Sequence, residues 1–178
     1  YFQLTKILIP IIIIRGITGN SMNITILTRL ILYNHACSRF LLALSINNLY
    51  FCTVTMVQHY LADVFKIDFG QISIHWCRFF QYGTLLCVLL LPYYTVLVSI
   101  DRYCASSNRV GIRNLSTIKV SRYVLAIVTL MFALYALNHP ILVTLRQDDG
   151  LGCRLPYNTS YNVVFGFMLS TLVAVLGP

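Results

Sequence analysis

Hydrophobic residues in this chain fall in long stretches separated by short polar segments. A bilayer core about 30 Å thick needs about 20 mostly apolar residues in a helix to cross it. Five stretches reach or approach that length, at about residues 4–30, 39–61, 75–104, 120–143 and 161–178. None of them alternates apolar and polar residues over short runs, which disfavours a β-barrel. The pattern therefore predicts an all-α integral membrane protein.

Composition supports a membrane location and argues against several other classes. Of the 178 residues, 58% are hydrophobic and only 10% are charged, whereas an average soluble domain carries roughly 25% charged residues. The formal net charge is +8, and in so apolar a chain this excess fits anionic membrane lipid better than nucleic acid. We find no metal-ligand cluster, nucleophile motif or phosphate-binding glycine loop. We therefore expect neither an enzyme nor a bound metal or cofactor.

The basic residues between the stretches predict an orientation. Lys and Arg near the ends of spans are enriched on the cytoplasmic side. One face of the predicted topology carries seven of them and the other carries five. The richer face holds Arg29, Arg39, Arg102, Arg109, Arg113, Lys119 and Arg122. We therefore expect that face to be cytoplasmic and the N-terminus to be extracellular.

The third stretch carries polar residues at both of its ends. Cys77 lies at the predicted outer end, and Arg102 follows it by 25 residues, or about 37 Å in a helix. Cys153, between the last two stretches, is the other cysteine predicted on the oxidising side. We expect the two to form a disulfide that pins this loop to the third helix, the alternative being two free thiols. For Asp101 and Arg102, the plainer alternative is a solvated pair at a helix end.

In this order and topology the chain resembles the N-terminal half of a rhodopsin-like (class A) G-protein-coupled receptor. The residues that carry the resemblance are Gly19-Asn20, Leu42-Ala43-Leu44-Ser45, Asn48-Leu49, Cys77, Asp101-Arg102-Tyr103, Pro140, Cys153 and Pro178. The resemblance covers the whole chain. It implies a seven-transmembrane-helix bundle of which helices 1–4 and the first half of helix 5 are present, so we expect the sequence to be a fragment.

The resemblance implies an activation switch at the cytoplasmic face, formed by Asp101, Arg102 and Tyr103. Arg102 would pair with Asp101 at rest and engage the C-terminal helix of a heterotrimeric G protein on activation. In the family, an aspartate of the second helix binds sodium, but Asn48 takes its place here. We therefore expect structural hydrogen bonds between helices instead of a sodium site. The residues expected to make them are Asn20, Asn47 and Asn48.

The ligand is expected to be a peptide. Thr84 stands where amine receptors of the family carry a carboxylate, and no acidic residue lies between Cys77 and Asp101. The predicted pocket residues are Gln58, His59, Gln81 and Thr84, although a Gln or His in such a place is as often a structural contact. Asn158, in an Asn-x-Ser sequon of the outer loop, is expected to carry a glycan.

These points predict a multi-pass receptor in the plasma membrane, which transmits binding of an extracellular ligand, a neuropeptide or a small molecule, to a G protein. Its other partner is membrane lipid, and no nucleic acid is expected. One alternative is a multispanning transporter or channel component, which would show paired charges or broken helices near the midplane. Only Arg15 and Pro92 hint at that. Another alternative is a truncated receptor variant that does not signal.

Overall fold

The structure, a computed structural model, is helical apart from two short strands. It describes residues 2–67, 73–114, 116–137, 144–146 and 152–154. The elements are α1 (Phe2–Leu27), α2 (Leu30–Tyr33), α3 (Ala36–Tyr50), α4 (Val57–Phe65), α5 (Ile74–Ser106), α6 (Val110–Arg113), α7 (Ile118–Ala136), β1 (Thr144–Arg146) and β2 (Gly152–Arg154). A π-helical turn, Phe51–Met56, joins α3 to α4, so that Ala36–Phe65 forms one continuous helix.

Four helices in the described residues are long and apolar enough to cross a membrane, which is compatible with a multi-pass membrane protein. We call them span 1 (Lys6–Leu27), span 2 (Ala36–Phe65), span 3 (Ile74–Ser106) and span 4 (Ile118–Ala136). They confirm the first four predicted stretches, with ends that differ by several residues. The fifth stretch, 161–178, lies outside the described residues.

The helix ends follow from local hydrogen-bond chemistry. Ser73 precedes α5, and its hydroxyl accepts a hydrogen bond from the backbone N–H of His75 at 3.3 Å. Thr117 caps α7 in the same way, accepting from the N–H of Val120 at 3.4 Å. Such side chains satisfy N–H groups that have no partner within the helix. At the C-terminal end of span 2, Lys66 adopts a left-handed backbone conformation with φ 60°, which ends α4.

Several hydroxyl groups inside the spans are satisfied by the backbone of their own helix. Thr18 donates to the carbonyl of Ile14 at 2.8 Å, and Thr95 donates to that of Leu91 at 2.9 Å. In a bilayer no water replaces a missing bond, so this pairing lets a polar residue face lipid at low cost. The α5 helix also continues through Pro92, which cannot donate a backbone hydrogen bond.

Span 3 is the most buried of the four helices. A third of its most apolar window (33%) is buried, against 6% in spans 1 and 4. Span 2 packs against spans 1, 3 and 4, and span 3 also contacts span 4 and β1. The core lies between spans 3 and 4, at Leu85, Leu89 and Ala136. Span 3 is therefore the helix most enclosed by its neighbours, and span 2 is the one that touches all three other spans.

Close packing of spans 2 and 3 requires a glycine. A Cβ placed at Gly83 would overlap the phenol of Tyr50, so any larger residue must displace that ring.

The strands β1 and β2 pair antiparallel, with Leu145 opposite Cys153. The sequence did not predict this hairpin. Through β1 it contacts α5.

Candidate functional site

The candidate site lies at the C-terminal end of α5, where the sequence places Asp101, Arg102 and Tyr103; we call this the inner end after the predicted topology. With 33 residues, α5 is about 50 Å long at 1.5 Å per residue. It is therefore longer than the roughly 40–45 Å of a bilayer with its headgroups. Side chains at its two ends thus reach the two membrane surfaces.

Asp101 is buried, although a carboxylate at a membrane surface is usually exposed. Its side chain is 6% exposed. The oxygen Oδ1 accepts a hydrogen bond from the hydroxyl of Ser116 at 2.8 Å. The other oxygen, Oδ2, is buried and has no hydrogen-bond partner among the described residues. Because an unpaired buried acceptor costs free energy, this carboxyl group can gain from a further donor.

Arg102 points away from Asp101. Its side chain is exposed, and its Nε donates to the Sγ of Cys37 at 3.1 Å, in the first turn of span 2. No ion pair joins Asp101 to Arg102 among the described residues, and their pairing in a resting state stays a prediction. The reason is geometric: consecutive residues of a helix point about 100° apart, so one side chain is buried while the other is exposed. Tyr103 is also exposed, at 66%.

A polar cavity of about 500 Å³ lies beside the carboxyl group. It is enclosed by the connection between spans 1 and 2, the inner end of α5 and the connection between spans 3 and 4. Its polar lining includes His35, Cys37, Asp101, Arg113 and Ser116. The described residues contain no group of three or more His, Cys, Asp or Glu that would hold a metal ion. The cavity therefore offers hydrogen-bonding groups of both inner connections around one carboxyl group.

Sequence reasoning missed two members of this site. Ser116 and Cys37 contact the predicted switch residues across 15 and 65 positions of sequence, respectively. A lone serine or cysteine in a polar connection has many possible partners, and nothing in the sequence selects among them. The basic loop Arg109–Arg122 was expected to line the same face as Tyr103, but no contact of Ser116 within it was predicted.

The three asparagines expected to link helices behave differently. Asn47 does so: its amide donates to the backbone carbonyl of Cys87 in span 3, at 3.1 Å. Asn20 instead donates to the carbonyl of Gly16 within its own helix, at 2.7 Å. Asn48 is half-buried and makes no hydrogen bond that the described residues show. Of the three, Asn47 is therefore the one that links two helices in the described residues.

The predicted ligand-pocket residues line neither the polar cavity beside Asp101 nor the cavity between spans 2 and 3. The hydroxyl of Thr84 is 3.2 Å from that of Thr55, so these residues link spans 3 and 2. His59 is exposed, and Gln58 and Gln81 are half-buried. The neighbouring cavity of about 460 Å³ is lined instead by Tyr50, Tyr82, Gly83 and other residues nearer the middle of the helices. The pocket assignment stays a prediction.

At the outer end of α5, Cys77 is fully buried and disulfide-bonded. Four other cysteines are free, namely Cys37, Cys52, Cys87 and Cys104. The backbone of Cys153 lies in β2, whose partner strand contacts α5, but its side chain lies outside the described residues, as does Asn158. The pairing of Cys77 with Cys153 therefore stays a prediction.

A comparison with models of protein families and with curated protein sequences finds no match to this chain. The likeness to rhodopsin-like receptors thus rests on the sequence residues quoted above.

Proposed function

We propose that this protein is a receptor of the rhodopsin-like type in the plasma membrane, which transmits binding of an extracellular peptide to a heterotrimeric G protein at its cytoplasmic face. The observation that carries the proposal is the buried Asp101 carboxyl group, with one oxygen bound by Ser116 and the other without a partner. A group in that state favours rearrangement, because a second arrangement can satisfy it better.

The proposed switch differs from a simple acid–base pair. Asp101 holds the connection between spans 3 and 4 through Ser116, while Arg102 reaches across to span 2 through Cys37. Both contacts are made by the last turns of α5. A small rotation or shift of that helix would therefore break both together, and such a two-state element needs a gap of only a few kcal/mol to respond to a ligand.

Arg102 is suited to bind a protein partner. Its hydrogen bond goes to a thiol sulfur, which is a weak acceptor, and its guanidinium is exposed. The carbonyl oxygens at the C-terminus of a helix have no partners within that helix and carry partial negative charge. A helix of the G protein that presents its C-terminus here would offer better acceptors than the sulfur does. The exchange would release span 2 from span 3.

The outer side fits a ligand that is not an amine. No acidic residue lies in α5 between Cys77 and Asp101, and the position expected to hold such a group is Thr84, which is bonded to Thr55. A cationic amine would therefore lack its usual partner on this helix. The peptide assignment rests on this exclusion and on the polar residues around Cys153.

The charge distribution favours a receptor over a transporter. A transporter would place paired charges near the midplane. The five acidic residues are Asp63, Asp68, Asp101, Asp148 and Asp149, and each lies at the end of a predicted span or between spans. Arg15 and Pro92 remain the two residues that the transporter hypothesis would use, but Arg15 is exposed on α1 and α5 is continuous through Pro92.

A ligand-independent experiment tests the proposal. The full-length protein and its variants are placed in lipid nanodiscs, and guanine-nucleotide exchange is measured on a panel of purified heterotrimeric G proteins. Asp101→Asn weakens the hold on Ser116, so we expect basal exchange on one G-protein class to rise severalfold. Adding Arg102→Ala to that variant should return exchange to the level of empty nanodiscs.

The matched control is Arg109→Ala. Arg109 is an exposed arginine of the same face, and its removal changes the net charge equally. We expect it to leave exchange within about twofold of the starting protein. Equal exchange in the presence and absence of Arg102, with both proteins correctly folded, would refute the proposed role. No exchange on any G protein, even with Asp101→Asn, would refute the receptor assignment.

A further inference from the structure

An apolar groove with two arginines at one end runs along the membrane-facing side of spans 2, 3 and 4. Its volume is about 600 Å³. Arg39 lies one turn into span 2 and Arg122 one turn into span 4, and both line the groove. Since these two helices begin at the same membrane face, the positive charge is confined to one end of the groove.

Arg39 is held in place but not satisfied. Its guanidinium carbon lies 4.3 Å from the centre of the Tyr33 ring, a cation–π contact that orients the side chain. Its Nε is buried and has no hydrogen-bond partner among the described residues. Arg122 is exposed on the facing helix. The end of the groove therefore offers guanidinium donors, one of which is already stripped of water.

The walls beyond the arginines offer hydrocarbon. Leu42, Ile46 and Leu130 are among the apolar residues that line them. The two hydroxyls in the walls satisfy each other: those of Tyr94 and Thr129 are 2.8 Å apart. Nothing in these walls therefore favours a polar occupant, and a chain of methylene groups fits them better than water or a peptide backbone.

The length of the groove matches one leaflet. From Arg122 to Ala133, both lining residues, span 4 advances 11 residues, or about 16 Å. Half of the hydrocarbon core of a bilayer is about 15 Å thick. An acyl chain whose headgroup lies beside the arginines would thus end near the far end of the groove, at the bilayer centre.

We propose that this groove binds one anionic glycerophospholipid of the cytoplasmic leaflet, with its phosphate between Arg39 and Arg122 and one acyl chain along spans 2 and 4. Guanidinium groups bind phosphate oxygens through paired hydrogen bonds. Phosphatidylcholine has the same phosphate, but its quaternary ammonium is repelled by two arginines, so the pair favours a headgroup with net negative charge. The excess of basic residues at this face places the site in the leaflet that carries anionic lipid. The proposal needs only the membrane spans and not the receptor function, so either can fail without the other.

The test uses the intact protein in mixed micelles that contain equal amounts of phosphatidylserine and phosphatidylcholine with identical acyl chains. Native mass spectrometry then counts the lipids that stay bound. We expect one phosphatidylserine to be retained in preference. Arg39→Gln with Arg122→Gln should lower the ratio of bound phosphatidylserine to phosphatidylcholine at least about tenfold, because both charge-assisted contacts with the headgroup are lost.

The matched control removes the same charge elsewhere on this face. Arg109→Gln with Lys119→Gln changes two exposed cations outside the groove, and it should leave the ratio within about twofold. If both double variants lose phosphatidylserine equally, the lipid is held by general surface charge and the site is refuted. The same holds if the starting protein retains both lipids equally.

A second pair of variants leaves every charge in place and covers the case in which the arginine variant does not fold. Ala126 lines the groove, whereas the exposed Ile127 next to it does not. Ala126→Trp should fill the path of the acyl chain and abolish retention, and Ile127→Trp should preserve it. If Ala126→Trp instead removes a dimer mass while phosphatidylserine stays bound, the groove is a contact between copies of this chain and the proposal is overturned.

Discussion

The two ends of α5 differ in how completely their polar groups are paired. Between Cys77 and Tyr94, the buried side-chain nitrogen and oxygen atoms of the helix have hydrogen-bond partners. The backbone carbonyl of Cys87 accepts a hydrogen bond from the Asn47 amide at 3.1 Å, and the hydroxyls of Thr84 and Thr55 are hydrogen-bonded at 3.2 Å. The Cys77 sulfur is disulfide-bonded. In the last two turns, Asp101 has one oxygen without a partner and Arg102 bonds a sulfur.

This difference separates what holds the bundle together from what can change. A segment whose donors and acceptors are all paired has one favourable arrangement, since any shift leaves a buried group without a partner. A segment with an unpaired carboxyl oxygen lacks that penalty and can gain from a shift. The outer part of α5 thus acts as an anchor, whereas the inner end is free to exchange partners. The receptor function proposed above would use both properties, because its signal would cross the membrane along this helix.

The largest expected effect tests the outer anchor. Cys77→Ser should destabilise the protein by about 2–5 kcal/mol, the usual cost of losing a native disulfide, and should lower cell-surface delivery severalfold. If Cys153 is the partner, Cys153→Ser should have the same effect, and the double variant should be no worse than either single variant. Surface labelling of intact cells and thermal unfolding in micelles measure both quantities.

Cys104→Ser is the matched control for this prediction. Cys104 is a free, buried cysteine near the inner end of the same helix, so its substitution changes the same atom without breaking a bond. We expect a much smaller loss of stability. Additive losses in the Cys77 and Cys153 variants would show that the two residues are not bonded to each other.

A smaller effect, with opposite signs in two variants, tests the inner end. Asp101→Asn should stabilise the protein by about 1 kcal/mol, because a neutral amide is cheaper to bury unpaired than a carboxylate. Ser116→Ala should destabilise it by about 1–3 kcal/mol, because it removes the one donor that Asp101 has. Midpoints of thermal unfolding in the same micelles give both changes.

Ser106→Ala controls for the loss of a hydroxyl near this end of α5. The Ser106 hydroxyl donates to the carbonyl of Tyr103 in its own helix and is exposed, so we expect a change below about 0.5 kcal/mol. If Asp101→Asn instead destabilises the protein as much as Ser116→Ala does, the carboxyl group has a favourable partner and the contrast between the two ends of α5 disappears.

The spans were predictable because length and apolar character alone determine whether a helix can cross a bilayer. Their ends were harder, since they depend on single residues such as the capping Ser73 and Thr117 and the left-handed Lys66. The π-helical turn Phe51–Met56 was not foreseen either. It shifts which residues of span 2 face its neighbours, and hydrophobic pattern does not encode it.

The site was predictable only in its position along the chain. The sequence places Asp101 and Arg102 at the inner end of span 3, but their partners depend on which face of the helix each side chain occupies. That follows from packing between spans. The family resemblance implied an ion pair between these two residues. In the described residues Asp101 contacts Ser116, in the connection between spans 3 and 4, and Arg102 contacts Cys37, in the first turn of span 2.

The smallest predicted effect concerns two adjacent asparagines of span 2. It tests whether the helix face that a side chain occupies decides its partner. Asn47→Ala should destabilise the protein by about 0.6 kcal/mol and at most about 1.7 kcal/mol, the range measured for hydrogen bonds between helices in membranes. Asn48→Ala should change it by less, because Asn48 makes no hydrogen bond that the described residues show. Reversible unfolding in mixed micelles separates the two values. Equal costs would mean that Asn48 also makes a hydrogen bond to another span. Two asparagines of span 2, and not one, would then hold the bundle together at this level. A larger cost for Asn47 alone would show that one step of about 100° around the helix decides which asparagine joins spans 2 and 3.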